Sequence, residues 1–362
     1  CPLRCIIDLG TEMKLTHKQW LIIGIILLFL VFLMTACQWD WLPFISESPP
    51  ESPTTQTISP PPAPPGEIVT KEYQWRYKGY WQWTLRIPEE LYFYYQGIPR
   101  APIEDYSIYV THPGDEPYIE ELATSLKQKA VEEGFNSEET VNFIASFVQQ
   151  CIEYKSDLET KQKQEYPRYP LETLVDGTGD CEDKSILTAA MLQAMDYEVV
   201  LLSFPEHMAV GVAVTITSPW YCDYEGRRYY YLETTREGWE VGEFEEMYQG
   251  IEPTAYKLVP TPVLRLTEYE YIIHRRWFQS DTLTLEVKVT NWGTADAQGA
   301  YICAFFAGGE DKAKQSSPFD LEFGHQVFPI TIEELLMPSE GRTLWLQLFH
   351  NGIVVDEVSF QI

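Results

Sequence analysis

Basic side chains are scarce. The chain sets 26 Lys and Arg against 54 Asp and Glu, a formal net charge of −28, and the few cations form no stripe. Such a surface repels a phosphate backbone instead of releasing its counterions, so nucleic acid is excluded as a partner. The acid excess favours solubility and would suit Lys-rich partners. Paired cysteines are missing too. None of the seven falls in a C-x-x-C pair, which argues against a zinc ribbon or a thioredoxin-type redox site. Cys151 falls on the apolar face of an expected helix and Cys303 in an expected strand, as small buried thiols do. Low apolar content is not among the deficits. With 45% hydrophobic and 14% aromatic residues the chain is not mainly disordered, and 362 residues suffice for about two domains.

Position 1 is not Met, so residues 1–12 read as translation upstream of a start at Met13. Lys14 and Lys18 then precede an uncharged run from Trp20 to Cys37, and acidic residues follow it. That order marks 13–42 as a signal, lipoprotein or membrane-anchor segment and puts everything from about Asp40 outside the cytoplasm. Met34-Thr35-Ala36-Cys37 has the form of a lipoprotein box with Cys37 as the lipidated residue; an uncut helix anchored by Trp39 and Trp41 is the other reading. Residues 43–66 hold nine prolines amid Ser and Thr. They read as a linker, rising roughly 3.1 Å per residue in polyproline II.

Residues 67–260 mix strand and helix periods, an α+β pattern. Tyr73, Trp75, Tyr77, Trp81, Trp83, Leu85 and Ile87 alternate about Lys78-Gly79, which predicts a hairpin with one aromatic face packed inward. Helices are expected over Glu89–Tyr95, from Pro117 with Ile119, Leu122 and Leu126 inside and Gly134 past the end, and from an N-cap at Ser137 with Val141, Ile144, Phe147, Val148 and Cys151 on one side.

A glycine-bearing loop, Asp176 to Asp180, runs into a helical pattern at Ile186, Leu187, Ala190, Met191 and Ala194. Cys181 therefore opens a helix, where unsatisfied N–H groups and the dipole favour a thiolate. Asp180, Glu182 and Asp183 oppose that, so a cationic partner is required. His207 supplies it: the run Val199–Phe204 and the strand from His207 to Val214 pair through a Pro205-Glu206 turn, which leaves His207 at the sheet end. A third strand, Tyr229–Thr235, carries Glu233, an acid able to hold the other ring nitrogen. Loop–Cys–helix, strand, His–strand and acid–strand is the order of a papain-like core.

The segments Gly179-Asp180-Cys181-Glu182-Asp183-Lys184-Ser185, His207-Met208-Ala209-Val210-Gly211-Val212 and Leu232-Glu233-Thr234-Thr235 resemble the transglutaminase-like superfamily of archaeal and bacterial surface proteins, over about residues 70–258. The resemblance implies a Cys181–His207–Glu233 triad without metal or other cofactor. It implies an extracytoplasmic cysteine enzyme acting on amide or peptide bonds of a protein or peptide substrate through a thioester. A non-catalytic cell-envelope binding module on the same fold is the alternative. Glu233 stands where relatives carry Asp or Asn, and the Cys-Trp pair of animal transglutaminases is absent, which leaves hydrolysis and transfer to an amine both open. By the same analogy Gln149 is a candidate oxyanion donor, and Tyr166, Arg168, Tyr169 and Asp180 are candidates to line the cleft.

Residues 261–362 change to strand periodicity. Leu283, Leu285, Val287 and Val289 alternate with polar residues, and Leu344, Leu346 and Leu348 lead to Asn351-Gly352 and then Val358, Phe360 and Ile362, a hairpin signal. An immunoglobulin-like β-sandwich fits this length, and Val287–Ala297 resembles cell-adhesion-type modules. His274, His325 and His350 lack ligand spacing, and the oligomeric state is not legible.

Overall fold

The computed structural model describes residues 66, 68–100, 103–339 and 342–362, with the backbone of two short strands at Cys5–Ile6 and Thr54–Thr57. The expected anchor at 13–42, the lipidation candidate Cys37, and most of 1–12 and of the linker lie outside the described residues. Among the described residues no helix is long and apolar enough to cross a membrane.

Strands β1 (Ile68–Arg76) and β2 (Tyr80–Pro88) form the expected hairpin. Alternation sends Tyr73 and Trp75 inward, where both rings meet Phe147 edge-on, so the aromatic face is packed core. Helix α1 (Glu89–Gly97) follows directly. Helix α2 (Glu116–Glu132) has Pro117 in its first turn, buries Ile119, Leu122 and Leu126, and is followed by Gly134 at φ +75°. Helix α3 (Ser137–Cys151) is capped one residue earlier than expected. Asn136 Oδ1 accepts from Glu139 N–H at 2.9 Å while Asn136 N–H donates to Glu139 Oε2 at 2.9 Å, a reciprocal box Ser137 cannot make.

After α4 (Pro170–Asp176) comes α5 (Cys181–Ala194), enclosed on nearly all sides with Glu182 to Leu192 buried. It lies on an antiparallel sheet of order β7–β3–β4–β6–β5, built from β3 (Val199–Phe204), β4 (His207–Val212), β5 (Tyr221–Tyr224), β6 (Arg227–Leu232) and β7 (Thr254–Lys257). β3 is buried on both faces, which explains its unbroken apolar run. Val199 and Leu201 join the main core, while Val200, Leu202 and Phe204 pack beneath Phe244 and Tyr248.

A separate core follows Val263. Strands β8 (Leu264–His274), β9 (Thr282–Asn291) and β11 (His325–Leu336) form one antiparallel sheet, and β10 (Ala297–Phe306), β12 (Thr343–His350) and β13 (Ile353–Gln361) another. Leu283, Leu285, Val287 and Val289 meet Ile302, Leu344, Leu346 and Leu348 between them. Asn351 and Gly352, at φ +53° and +78°, make the expected hairpin turn.

Candidate active site

Helix α4 stops at Gly177, whose φ of +67° reverses the chain. Thr178–Gly179 then pairs with Glu153–Tyr154, and Cys181 becomes the first residue of α5. Gly179 is required by contact, because a Cβ there would sit 2.6 Å from Cβ of Asp183. Asp183, in the first turn, turns back to accept from the N–H of Arg168 at 2.7 Å and of Asp180 at 3.4 Å. The loop ahead of the nucleophile candidate is thereby tied to its helix.

His207 opens β4 opposite Phe204, and Glu233 immediately follows β6. The structure brings them together: His207 Nε2 lies 3.0 Å from Glu233 Oε2. Glu233 Oε1 accepts from the Thr235 N–H at 2.8 Å and from Thr235 Oγ1 at 2.6 Å, which fixes the carboxylate. Burial, the largest single influence, raises the Glu233 carboxyl, but the bond and charge of His207 together with the two Thr235 bonds hold it below its ordinary range. Tyr248 stacks on the imidazole at 5.0 Å and 9°. With Nε2 engaged, Nδ1 is the ring nitrogen left for proton transfer.

The backbone of Met208, the residue after His207, works in favour of a Cys181 thiolate. The same thiol donates to Glu182 Oε2 at 3.2 Å and not to His207. Burial first, then the negative charges of Glu182 and Asp180, push its pKa up. Burial, and after it the acids on either side, thus oppose the helix dipole at this cysteine.

Several expected cleft residues are placed elsewhere. Gln149 is buried, with Nε2 donating to the carbonyls of Glu233 (2.8 Å) and Trp239 (3.0 Å) and Oε1 accepting from Gly238 N–H (3.1 Å). Both amide hydrogens are spent, so it clamps the 233–239 loop and is not an oxyanion donor. Arg168 is 0% exposed, held by Asp157, Asp176 and Asp183. Tyr166 is buried with its hydroxyl donating to Glu172 Oε1 at 2.9 Å, and Tyr169 lies among Tyr95, Tyr109 and His112. Asp180 is buried at the N-cap of α5. All four are buried. Thr235 and Tyr248 are site residues that the sequence reading does not single out, whereas Glu182 is among the acids it sets against the thiolate. Thr235 had a local signal, a hydroxyl two residues past the acid; Tyr248 had none, since only the fold brings it to His207.

Among the described residues one group of side chains has oxygens placed to share a cation: Asp157, Asp180 and Glu182, with one carboxylate oxygen of each within 4.8 Å of the others.

Residues 118–224 match a family model described as "Transglutaminase-like domain". The match spans α2 to β5, with Cys181 and His207 inside it and Glu233 beyond. Over those residues the chain is similar to transglutaminase-like domains. No curated protein matches. Among solved structures, red sea bream transglutaminase aligns with 81% of this chain and 62% of its own, at 10% identity and a TM-score of 0.20. The chain therefore spans less than two thirds of that protein's length.

Proposed function

We propose that the domain is a cysteine acyl-transfer enzyme with Cys181 as nucleophile, His207 as base and Glu233 as the acid that orients the ring. The observation that supports this most is the His207 Nε2–Glu233 Oε2 hydrogen bond, with Glu233 pinned by Thr235, beside the helix that begins at Cys181. The thiol is a hydrogen-bond donor at rest, so His207 Nδ1 takes its proton as sulfur attacks an amide carbonyl carbon. The C–N bond then breaks, the imidazolium gives the proton to the departing nitrogen, and a thioester remains. Water or an amine, giving its proton to His207, attacks the thioester carbon, and the Cys181 thiolate leaves and takes that proton back from the imidazolium. With Gln149 occupied, first-turn N–H groups of α5 are the donors that remain for the oxyanion. The substrate is a protein or peptide of the cell envelope, reached from an extracytoplasmic position behind the N-terminal tether, and residues 261–362 are an immunoglobulin-like spacer or binding module.

The test is mass analysis of glutamine-containing peptides incubated with the full chain, with and without a primary amine. Deamidation or peptide cleavage indicates hydrolysis, and an amine adduct indicates transfer. Cys181→Ala abolishes either product, and His207→Ala lowers the rate by about 10²–10⁴. The hydrogen bond from the thiol to Glu182 favours the second reading, a binding module. That reading replaces the first if no product forms and Cys181 resists iodoacetamide as firmly as buried Cys303.

A further inference from the structure

Residues 275–281 turn the chain from β8 to β9. β8 starts beside the junction with the first core and runs eleven residues to His274, which at strand rise puts this turn about 34 Å away, at the far end of the C-terminal module. Trp277 and Phe278 point outward from it, 69% and 102% exposed, with their rings 6.4 Å apart. Leu336 of β11, exposed and opposite Thr282, lies at the same end. Single exposed apolar side chains are ordinary, but two aromatics side by side at one tip form a patch. Phe278 moreover has φ +64°, a left-handed conformation that a bulky residue adopts only under strain. The turn is nonetheless held firmly from below. Asp281 Oδ1 accepts from Arg276 N–H at 3.1 Å and Asp281 Oδ2 from Arg275 Nη1 at 3.3 Å, while Met337 N–H donates to the Asp281 carbonyl at 2.9 Å. The fold therefore keeps a strained backbone in order to hold two aromatic rings in water.

We propose that this hairpin tip docks into the surface of a phospholipid bilayer, with Trp277 and Phe278 entering the headgroup–acyl boundary and Arg275 and Arg276 meeting lipid phosphates. Charge is complementary there. From Tyr271 to Ser280 the chain has both arginines and no acid, on a molecule of net charge −28 that is otherwise repelled by anionic lipid. Arg275 pairs with Asp281 and Arg276 with Glu334, each at 3.3 Å and each partly in solvent, so both cations can turn to a phosphate at small cost. Tryptophan, with an apolar body and one N–H, is the side chain that settles at this depth. A protein partner needs a deep pocket for a convex pair of rings, whereas acyl chains part around them. The sequence also brings a membrane near. Residues 43–66, as polyproline II, span about 75 Å from the apolar run Trp20–Cys37, longer than β8, so a tethered chain offers its tip to the bilayer at high effective concentration. Two rings alone bind weakly and the tether is the second signal. Nearness to that membrane rests on the tether proposed above, and nothing at the tip depends on acyl transfer.

The full chain is mixed with excess vesicles of phosphatidylcholine and phosphatidylglycerol, with and without bromine on the acyl chains, and flotation shows whether it is tethered. Bromine quenches tryptophan on contact, so the emission of the wild type minus that of Trp277→Phe isolates Trp277. That difference is expected to fall about twofold or more in brominated vesicles. Measured in a Phe278→Ser background, or with Arg275→Gln and Arg276→Gln together, it should lose most of its quenching. Ile353→Ser, which removes an exposed apolar side chain near the opposite end of the module, should leave it unchanged. All these positions are exposed, and thermal unfolding verifies that each variant folds. A chain that floats while Trp277 stays unquenched keeps the tether and overturns the tip assignment. Quenching of Trp277 in a chain that does not float removes the tether and upholds the tip. Unquenched emission together with self-association that Phe278→Ser abolishes assigns the patch to a second copy of the chain and overturns the assignment as well.

Discussion

Arg168 spreads one guanidinium over three aspartates: Nη1 meets Asp157 at 2.8 Å and also Asp183, and Nε meets Asp176 at 3.2 Å. Removing it strands buried carboxylates, so Arg168→Met should cost about 3–5 kcal/mol in denaturant unfolding. Arg168→Lys should recover little, since an ammonium cannot reproduce the planar fork. His112 illustrates the opposite sign of charge. Its Nδ1 accepts from Gly114 N–H at 3.2 Å, a bond only the neutral ring can receive. Burial, with Arg100 adding, depresses its pKa from 6.5 to about 4. Between those values the unfolded chain takes up a proton that the folded one refuses. Stability is therefore lost as pH falls through that window, by up to about 3 kcal/mol. Nearby carboxyls with raised pKa values work the other way, so the measurement is the difference between wild type and His112→Gln: the variant should lose less stability from pH 7 to pH 4.

At the level of elements, the sheet beneath α5 depends on a glycine. A Cβ on Gly211 would lie 2.8 Å from Val200 Cγ2, 3.0 Å from Leu202 Cδ1 and 3.0 Å from Tyr229 Cβ. These neighbours are short or branched and sit on paired strands, so they cannot swing aside. Gly211→Ala should destabilise by about 1–3 kcal/mol, as read by unfolding, and lower the proposed His207-dependent peptide turnover with it. Asn136→Ala should cost about 1 kcal/mol by opening the cap of α3. Strands β3 and β4, the hairpin β1–β2 and helices α2 and α3 were legible from periodicity and turn residues. The α3 cap at Asn136 was legible as well: Asn136 and Ser137 are both good capping residues, but Glu139 stands three residues after Asn136, the capping-box spacing that Ser137 lacks.

Across the whole molecule, the two cores meet at residues 259–263. Trp292 N–H donates to Val263 O at 2.8 Å, Thr294 N–H to Thr261 O at 2.9 Å, and Thr111 Oγ1 lies 2.9 Å from Thr294 Oγ1. A Cβ on Gly293 would come within 2.1 Å of Thr261 O, a backbone atom that cannot yield. The connection is thus docked on the C-terminal β module and not a free tether. Limited proteolysis should cut slowly near residue 260 in the wild type and faster in Gly293→Val, with both halves keeping their secondary structure. Equal cutting rates would show that the docking is not held in solution.

What the sequence determined by itself is the α+β order of the first domain, the strand periodicity of the second, and the succession of Cys181, His207 and Glu233, because local periods and turn residues are written in consecutive positions. Tertiary structure decided the rest. Only packing showed that Gln149 has no free donor, that Arg168 is an internal counter-ion and that the Cys181 thiol donates to Glu182. For Gln149 the partners, Glu233 and Trp239, lie more than eighty residues away; for Arg168 they are nearer, at Asp157, Asp176 and Asp183, but only the fold closes them round one guanidinium. A carboxylate reads the same in sequence whether it faces water or two other carboxylates. Burial and distance give it a different charge, and those belong to the fold.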